Sequence, residues 1–254
     1  NKNYISLSVK YLTNNDVENV GGYVLQKWPD TSYVGGSIIT ALSSTFGVGS
    51  SVYRTAKSDT LEFVDTVFGG CYKKSVFNEI GLFNENFIYS SDIEFNYRLR
   101  KNGGKILFVP EIESTYYYRK DRTKYIGFIK HNFRNGFWTV YPLRYVKNNP
   151  FSLKHHIPLL FVFGLFGPLL LFFIYKPFLL ISAVVFILYL IVNLFYTFNT
   201  QTKVVYQYLI LPFIFMSLHL SYGIGSMWAL IKLFCNSFCS FRIFQGKNVT
   251  RNQI

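Results

Sequence analysis

Three long stretches without any Asp, Glu, Lys or Arg occupy the second half of the chain, and they restrict its fold more than any other feature. They run from 156 to 175, from 178 to 198 and from 204 to 231. About 20 such residues cross a hydrocarbon core of about 30 Å as an α-helix. The sequence therefore predicts about three membrane spans, and Pro212 makes the third compatible with a kinked or tilted span plus an interfacial piece.

Charged residues are divided unevenly along the chain. All 13 acidic residues lie at or before Asp121, whereas Lys and Arg continue to Arg251, so the net charge of +13 comes from the second part. Lys and Arg next to an anionic lipid surface gain about 1 kcal/mol each. Because the basic residues flank apolar runs rather than forming a stripe on a soluble face, the pattern predicts membrane lipid, and no nucleic acid, as a partner.

His219 places an ionisable group at membrane depth in the third stretch, close to Gly223 and Gly225. Such a residue indicates either a function, here in a lipid-linked acceptor site, or a helix contact through small residues with a satisfied histidine. The second interpretation is favoured. Three spans would also put the basic tail, 236–254, on the opposite side from the basic segment 130–154, against the positive-inside tendency. A re-entrant or paired third segment would remove that conflict.

The chain before residue 150 has the texture of a mixed α/β domain, with short apolar runs between Gly, Asn and Ser clusters. Strands are predicted at 20–26, 64–72 and 105–110, and helices at 75–80, 91–102 and 123–141. Ser75 is the predicted cap of the first of these helices. Within the second strand, Gly69 and Gly70 permit a tight turn or the close approach of a ligand.

The cysteines indicate the redox compartment of the domain, and the first residue bears on whether the chain is part of a longer protein. Cys71, Cys235 and Cys239 form neither a disulfide framework nor a CxxC metal motif, which favours a reduced, cytoplasm-facing domain. No signal peptide is visible. Because the chain begins at Asn1 rather than Met, we expect it to be part of a longer protein.

Asp92 is the strongest candidate for a catalytic side chain. An Asp in the first turn of a helix stays ionised beside the positive end of the helix dipole and can accept a proton from a substrate hydroxyl. Glu94 lies about 200° around the same helix, so the two do not resemble a glycosidase carboxylate pair. Glu94 and Arg98 have the spacing of an ordinary helical ion pair. Simple helix capping is the alternative role for Asp92.

The order of motifs from Val64 to Arg119 resembles the acceptor-binding half of family 2 glycosyltransferases of the succinoglycan-biosynthesis type. In that family a strand ends in a small-residue turn and is followed by a helix, a Gly-Leu-Phe-(Asn/Asp)-Glu segment, an acidic helix start and Arg-Leu-x-x-x-Gly. The matching residues are Phe68-Gly69-Gly70, Gly81-Leu82-Phe83-Asn84-Glu85, Asp92, Arg98-Leu99 and Gly103. The segments 16–22 and 46–54 are also similar, so the resemblance covers nearly all of the first 150 residues.

The resemblance implies that Asp92 is the base that deprotonates the acceptor hydroxyl, with inversion at the sugar carbon. It also implies that Gly69, Gly70 and Arg98 contribute to substrate binding. The family usually has Glu or Gln immediately before the catalytic Asp, whereas this chain has Ser91. That departure leaves the base in place and weakens the inference about its partner.

A Gln-x-x-Arg-Trp element on the helix entering the membrane is a second family feature. The nearest run here contains His131 in place of Gln, a matching Arg134, and Trp138 displaced by three residues. The resemblance implies substrate binding by these three residues, because Arg can hold a pyrophosphate with two hydrogen bonds and Trp can stack on a sugar or base. The alternative is an interfacial helix with an aromatic belt.

No Asp-x-Asp occurs in the sequence, although the family uses that motif to hold Mg²⁺ or Mn²⁺ on the donor diphosphate. We therefore expect no metal site in this chain, the motif upstream of Asn1, and the chain to be inactive alone. The implied function is transfer of a sugar from a nucleotide donor to a lipid-linked or polysaccharide acceptor in envelope or exopolysaccharide assembly. The implied location is the cytoplasmic membrane with the catalytic domain in the cytoplasm. The alternative is a non-catalytic membrane subunit with a degenerate transferase fold.

These expectations give a predicted fold class and four regions. The fold class is α/β, a partial nucleotide-diphospho-sugar transferase (GT-A) domain followed by an α-helical transmembrane region. Residues 1–120 form the acceptor-side part of the transferase domain and 121–155 a basic aromatic linker with an interface helix. Residues 156–235 form the transmembrane region, and 236–254 a basic tail.

Overall fold

The computed structural model describes residues 2–27, 32–49, 60–117, 124–200 and 204–249, with side chains as far as Cys235 in the last range. It contains a mixed α/β part with a small four-stranded sheet, and three long apolar helices. The predicted fold class is confirmed at this level. Residues 50–54 of the predicted family match, and the side chains of the predicted basic tail, lie outside the described part.

The sheet is built around its first strand. Strands β1 (Asn19–Lys27), β2 (Glu62–Phe63), β3 (Phe68–Tyr72) and β4 (Ile106–Tyr117) lie in the order β2-β4-β1-β3. Strand β1 is parallel to β4 and antiparallel to β3, while β2 pairs antiparallel with the other edge of β4. The centre of the sheet is therefore the parallel pair β1–β4.

Strand β4 continues past Pro110, where the sequence predicted its end. Its register against β1 shifts between Gly22 and Tyr23, which face Val109 and Glu113. A Cβ atom added at Gly22 would collide with the carbonyl oxygens of Val109 and Ile112. Glycine at this position lets the bulge around Pro110 cross close to β1, so pairing resumes beyond it.

The helices of this part are α1 (Tyr4–Asn14), α2 (Tyr33–Leu42), α3 (Thr45–Val48), α4 (Lys74–Ile80) and α5 (Ser91–Lys101). Helix α1 packs on one face of the sheet and α4 and α5 on the other, whereas α2 and α3 pack against later helices. Alternate residues of β4 point to opposite faces: Leu107 packs with Leu12 of α1, whereas Phe108 packs with Phe95 of α5. The predicted cap at Ser75 is wrong, because α4 begins one residue earlier, at Lys74, with no side-chain cap.

The second half of the chain is helical. Helix α6 (Tyr125–Val140) and two 3-10 turns, Tyr141–Arg144 and Leu153–His156, lead to α7 (Ile157–Leu171), α8 (Phe178–Asn199) and α9 (Val205–Val249). The segments Leu153–Leu171, Phe178–Asn199 and Val205–Cys235 are long and apolar enough to cross a membrane. The three predicted apolar segments are thus helices, and α9 continues beyond the predicted third span into the predicted tail.

Helix α9 joins the α/β part to the apolar helices. Its residues Leu211, Phe215 and Leu218 share a buried cluster with Ile38 of α2 and Phe128 of α6. Helices α6 and α9 also approach each other closely at glycines. This cluster joins helices α2, α6 and α9, which are far apart in the sequence.

Candidate functional site

Asp92 stands in the first turn of α5, at an unusual backbone turn. Ser90 has a φ of 59° and is the one non-glycine residue with positive φ in the described ranges. Its carbonyl oxygen accepts hydrogen bonds from the backbone N–H groups of Ile93 and Glu94, which starts the helix. Left-handed backbone at a non-glycine residue is uncommon and recurs at functional sites. The turn leaves Asp92 exposed beside the positive end of the helix dipole.

Asp92 lines a cavity of about 320 Å³. The walls come from β1, the start of α5, α6, the turn before α7, and α9. Most of the polar lining side chains carry an amide, a hydroxyl or an imidazole: Gln26, His131, Asn132, Asn135, His155 and Tyr222. The volume lies in the range of small-molecule sites, and the lining offers several hydrogen-bonding groups around one carboxylate.

Helix α6 contributes one polar face to this cavity. His131, Asn135 and Thr139 follow one another at intervals of four residues, so they stack along one side of the helix. The amide nitrogen of Asn135 lies 3.4 Å from Nε2 of His131, and the hydroxyls of Thr139 and Tyr222 are hydrogen-bonded. Of the predicted substrate-binding residues of this helix, His131 is therefore the one that reaches the cavity.

Arg134 and Trp138 face a different neighbour. The guanidinium carbon of Arg134 lies 4.8 Å from the centroid of the Tyr89 ring, and the Trp138 ring lies 5.8 Å from it. Neither residue lines the cavity, and Nε of Arg134 is buried without a hydrogen-bond partner among the described residues. Since Tyr89 immediately precedes Ser90, these two side chains hold the turn that carries Asp92.

Arg98 makes contacts within the α/β part. Its guanidinium forms a two-point ion pair with Glu94, at 2.6 and 3.0 Å. It also donates to the carbonyl oxygens of Ile80 and Leu82 on the segment after α4. Arg98 lies outside the lining of the cavity, and its hydrogen bonds fix the Gly81 turn against α5.

Gly69 and Gly70 face neighbouring side chains of the domain. Gly69 has a φ of 60°, and its carbonyl oxygen accepts a hydrogen bond of 2.6 Å from the Tyr4 hydroxyl. A Cβ atom at Gly70 would overlap the side-chain amide of Asn19. The adjacent Phe68, rather than either glycine, lines the cavity.

A buried polar network underlies α5 and escaped the sequence analysis. The amide oxygen of Asn96 accepts from Asn19 at 3.0 Å and from the Tyr72 hydroxyl at 2.9 Å, and its nitrogen donates to Thr66 at 2.8 Å. Burial, and next the negative charge of Asp92, raise the pKa of Tyr72, so its phenol keeps its proton. The signal in the sequence was Asn96 beside the apolar Phe95 and Leu99, since a buried amide needs partners.

A second cavity, of about 590 Å³, adjoins the first. Its lining is largely apolar and comes from the α3 segment, α7, α8 and α9. The two cavities share five lining residues: Gly47, Val48, His155, Leu218 and Tyr222. The polar cavity that Asp92 lines and the apolar cavity among the long apolar helices therefore share a wall.

His219 lies in the wall of the apolar cavity and has partners on both sides. Its Nε2 lies 3.0 Å from the Phe46 carbonyl oxygen, and its Nδ1 lies 3.0 Å from the Tyr189 hydroxyl. The favoured sequence interpretation, a satisfied histidine, is confirmed. The small-residue contact is also present, because a Cβ at Gly223 or Gly225 would collide with the backbone of α7 or α6.

Within residues 2–27, 32–49, 60–117, 124–200 and 204–235, no group of three or more His, Cys, Asp or Glu side chains could hold a metal ion. No family model, curated protein or solved structure matches the chain.

Proposed function

We propose that this chain carries the acceptor side and the membrane anchor of a family 2 glycosyltransferase. The enzyme would transfer a sugar from a nucleotide donor to a hydroxyl of a lipid-linked or polysaccharide acceptor. One observation carries the proposal: the exposed carboxylate of Asp92 lines a polar cavity that shares a wall with an apolar cavity among membrane helices. A substrate with a polar head and an apolar tail fits that pair of cavities.

Asp92 is the general base in this proposal. Its carboxylate accepts the proton of the acceptor hydroxyl, and the hydroxyl oxygen forms a bond to the anomeric carbon of the donor. The bond from that carbon to the phosphate oxygen breaks at the same time, and the nucleoside diphosphate leaves with the electron pair. A single displacement of this kind inverts the configuration at the anomeric carbon.

The other lining residues would bind the acceptor. His131, Asn135 and Gln26 offer hydrogen-bond donors and acceptors for sugar hydroxyls in the cavity that Asp92 lines. The second cavity has room for part of a lipid chain, and most of its lining is apolar. These two properties favour a lipid-linked acceptor over a free polysaccharide.

The donor side is proposed from the sequence resemblance alone. The resemblance implies a nucleotide sugar and a Mg²⁺ or Mn²⁺ ion, which would neutralise charge on the leaving diphosphate. The described residues do not supply a ligand set for such an ion. The roles proposed for this chain's own side chains are therefore limited to the acceptor side of the reaction.

The cytoplasmic face of the cytoplasmic membrane is the proposed location. Support comes from the apolar helices, from the net charge of +13, and from the free thiols of Cys71 and Cys235. Basic residues favour the cytoplasmic side of a membrane, and unpaired cysteines suit a reducing compartment.

Asp92→Asn tests the proposal. The product of the complete gene would be expressed in membranes and assayed with a panel of radiolabelled nucleotide sugars for transfer into chloroform-methanol extracts. Loss of a general base lowers the rate by about 100-fold or more. Glu79→Gln, which removes an exposed carboxylate of α4 outside both cavities, is the matched control and should keep wild-type transfer.

Near wild-type transfer by Asp92→Asn would overturn the assignment of the base. A wild-type protein that transfers no sugar from any donor, while remaining folded in membranes, would favour the non-catalytic subunit instead.

A further inference from the structure

Helix α9 is buried differently from the other two apolar helices. Half of the residues in its most apolar window (50%) are buried, compared with 11% in the windows of α7 and α8. A third span beside a hairpin would expose a lipid-facing surface comparable to that of its neighbours. Protein therefore covers α9 far more than it covers the hairpin of α7 and α8.

The hairpin has a recognisable base. Phe161 of α7 stacks on Tyr189 of α8 with ring centroids 4.3 Å apart, and Gly164 lies opposite Val185. The start of α7 and the end of α8 consequently lie at the same end. This end, residues 157–164 and 185–199, is the hairpin base.

Helix α9 touches both helices of the hairpin at this base. Asn193 of α8 donates to the Pro212 carbonyl oxygen at 3.0 Å, whereas Gly223 lies against Pro158 and Val162 of α7. Pro212 and Gly223 are 11 residues apart. Over that length, a helix running antiparallel beside α8 would advance about 16 Å toward the far end of the hairpin. Instead α9 passes from one helix to the other across the base.

The far end of the hairpin exposes its apolar side chains. Leu170, Phe173, Ile174 and Leu180 are each at least 68% exposed. Such side chains require lipid around them. The bilayer therefore surrounds the far end, and the base marks where the hairpin enters it.

Helix α9 also has an uncovered apolar face. Leu218 is buried against α2 and α6, while Leu209, nine residues away and about 180° around the helix, is 74% exposed. Exposed apolar side chains recur along α9 on the same side as Leu209: Val205, Phe213, Ile224, Ile231 and Phe234.

We propose that α9 does not cross the membrane but lies in its surface plane, across the base of the hairpin. Its uncovered face would enter the boundary between headgroups and acyl chains, as amphipathic interfacial helices do. The occupant of this face is a lipid surface, because α9 packs on the base of a hairpin whose own apolar side chains are exposed. Lys232 in α9 and the later Arg242 and Lys247 supply positive charge for anionic headgroups.

Only α7 and α8 then span the bilayer. Two crossings return the chain to the side on which it started, so the α/β part and the basic C-terminus share one face. This arrangement removes the conflict with the positive-inside tendency that three spans create. It stands independently of the chemistry proposed for Asp92.

Thiol labelling tests the number of crossings. In a chain with Cys71, Cys235 and Cys239 replaced by Ser, single cysteines would be introduced by Asn102→Cys, Lys176→Cys and Gln253→Cys. A membrane-impermeant maleimide would be applied to spheroplasts and to inside-out vesicles. Asn102→Cys and Gln253→Cys should label from the same side, and Lys176→Cys from the opposite side. Labelling of Gln253→Cys together with Lys176→Cys overturns the proposal.

Depth measurements test the orientation of α9 directly. Spin labels would be placed singly by Leu209→Cys, Phe213→Cys, Ile224→Cys and Ile231→Cys, and their exposure to oxygen and to a water-soluble nickel complex compared. All four should report the same shallow depth. A crossing helix would spread them over about 33 Å along the membrane normal, with a maximum near the bilayer centre, and that pattern would refute an in-plane helix. Val184→Cys, at an exposed position of α8 beyond the hairpin base, provides the deep reference.

Discussion

Tyr89 links helix α6 to the turn that carries Asp92. Its ring contacts both Arg134 and Trp138, and the next residue is the left-handed Ser90. A cation over an aromatic face contributes about 0.5–1 kcal/mol at an exposed site and more when it is desolvated. Since Tyr89 does not line the cavity itself, the contact supports the turn from which Asp92 reaches the cavity.

Tyr89→Leu should therefore lower sugar transfer by about 10-fold or more, because small displacements of a reacting group cost large factors in rate. Tyr89→Phe keeps the ring and should retain most of the activity. Transfer rates and acceptor KM values would be measured on both variants in membranes, alongside their thermal stability in detergent. Equal rates for Tyr89→Leu and wild type would show that the turn does not need this support.

Positions could be predicted where the local sequence decides them, whereas contacts between distant segments could not. The first-turn position of Asp92 followed from the Ser-Ser-Asp start and the Arg-Leu-x-x-x-Gly end of α5. The contacts of Arg134 and Trp138 with Tyr89 could not be predicted, because Tyr89 belongs to another segment. The four-residue spacing of His131, Asn135 and Thr139 was visible in the sequence, but its orientation toward Asp92 was not.

Close contact between α6 and α9 depends on two glycines. A Cβ atom at Gly136 would collide with the Tyr222 carbonyl oxygen, and one at Gly225 with the Phe133 carbonyl oxygen. The Ser226 hydroxyl donates to the Gly136 carbonyl oxygen at 2.9 Å across the same interface. Because backbone atoms cannot rotate away, the two helices must separate to accept any side chain.

The same substitution should have different effects at two helical glycines. Ala in a helix interior gains about 1 kcal/mol over Gly, but overpacking against backbone costs about 1–3 kcal/mol. Gly136→Ala should therefore lower the melting temperature in detergent. Gly164→Ala, whose Cβ would meet Val185 at an ordinary 3.6 Å, should leave it unchanged or raise it. A Gly136→Ala protein as stable as wild type would contradict the packing described here.

Element boundaries were predictable where capping and periodicity act locally. Strand β1 and helices α5 and α8 lie within a residue or two of their predicted bounds, and Pro177 and Gly103 mark two of the ends. The continuation of β4 was not predictable, because it depends on Gly22 accommodating the bulge after Pro110. The path of α9 was not predictable either, since length and apolarity do not distinguish an in-plane helix from a crossing one.

Phe46 connects the α/β part to the membrane helices. Its ring stacks on Tyr196 of α8 at 4.8 Å and meets Phe215 and His219 of α9 edge-on at 5.0 and 4.6 Å. The backbone around it forms the common wall of the two cavities, through Gly47 and Val48. Movement of this segment would therefore open one cavity to the other.

Phe46→Ala should loosen that wall. Removing one aromatic ring from a cluster costs about 3–5 kcal/mol in a full core and less at this partly exposed site. Backbone amides of residues 33–49 should exchange hydrogen at least about 10-fold faster, as measured by mass spectrometry on the detergent-solubilised protein. Phe166→Ala, on the exposed side of α7, is the control and should leave that exchange unchanged. Identical exchange in both variants would show that Phe46 does not hold the segment.

The cluster formed by α2 and α9 also determines the order of folding events during synthesis. Ile38 and Leu211 belong to the same buried cluster although about 170 residues separate them in the sequence. At about 5–20 residues per second, a ribosome needs about 10–30 s to make the intervening chain. The hairpin emerges and enters the bilayer within that interval, so membrane insertion precedes completion of the α/β part. Until α9 arrives, the apolar side of α2 lacks the contacts with Leu211, Phe215 and Leu218. A nascent chain stalled at this stage would therefore expose apolar side chains to chaperones and proteases.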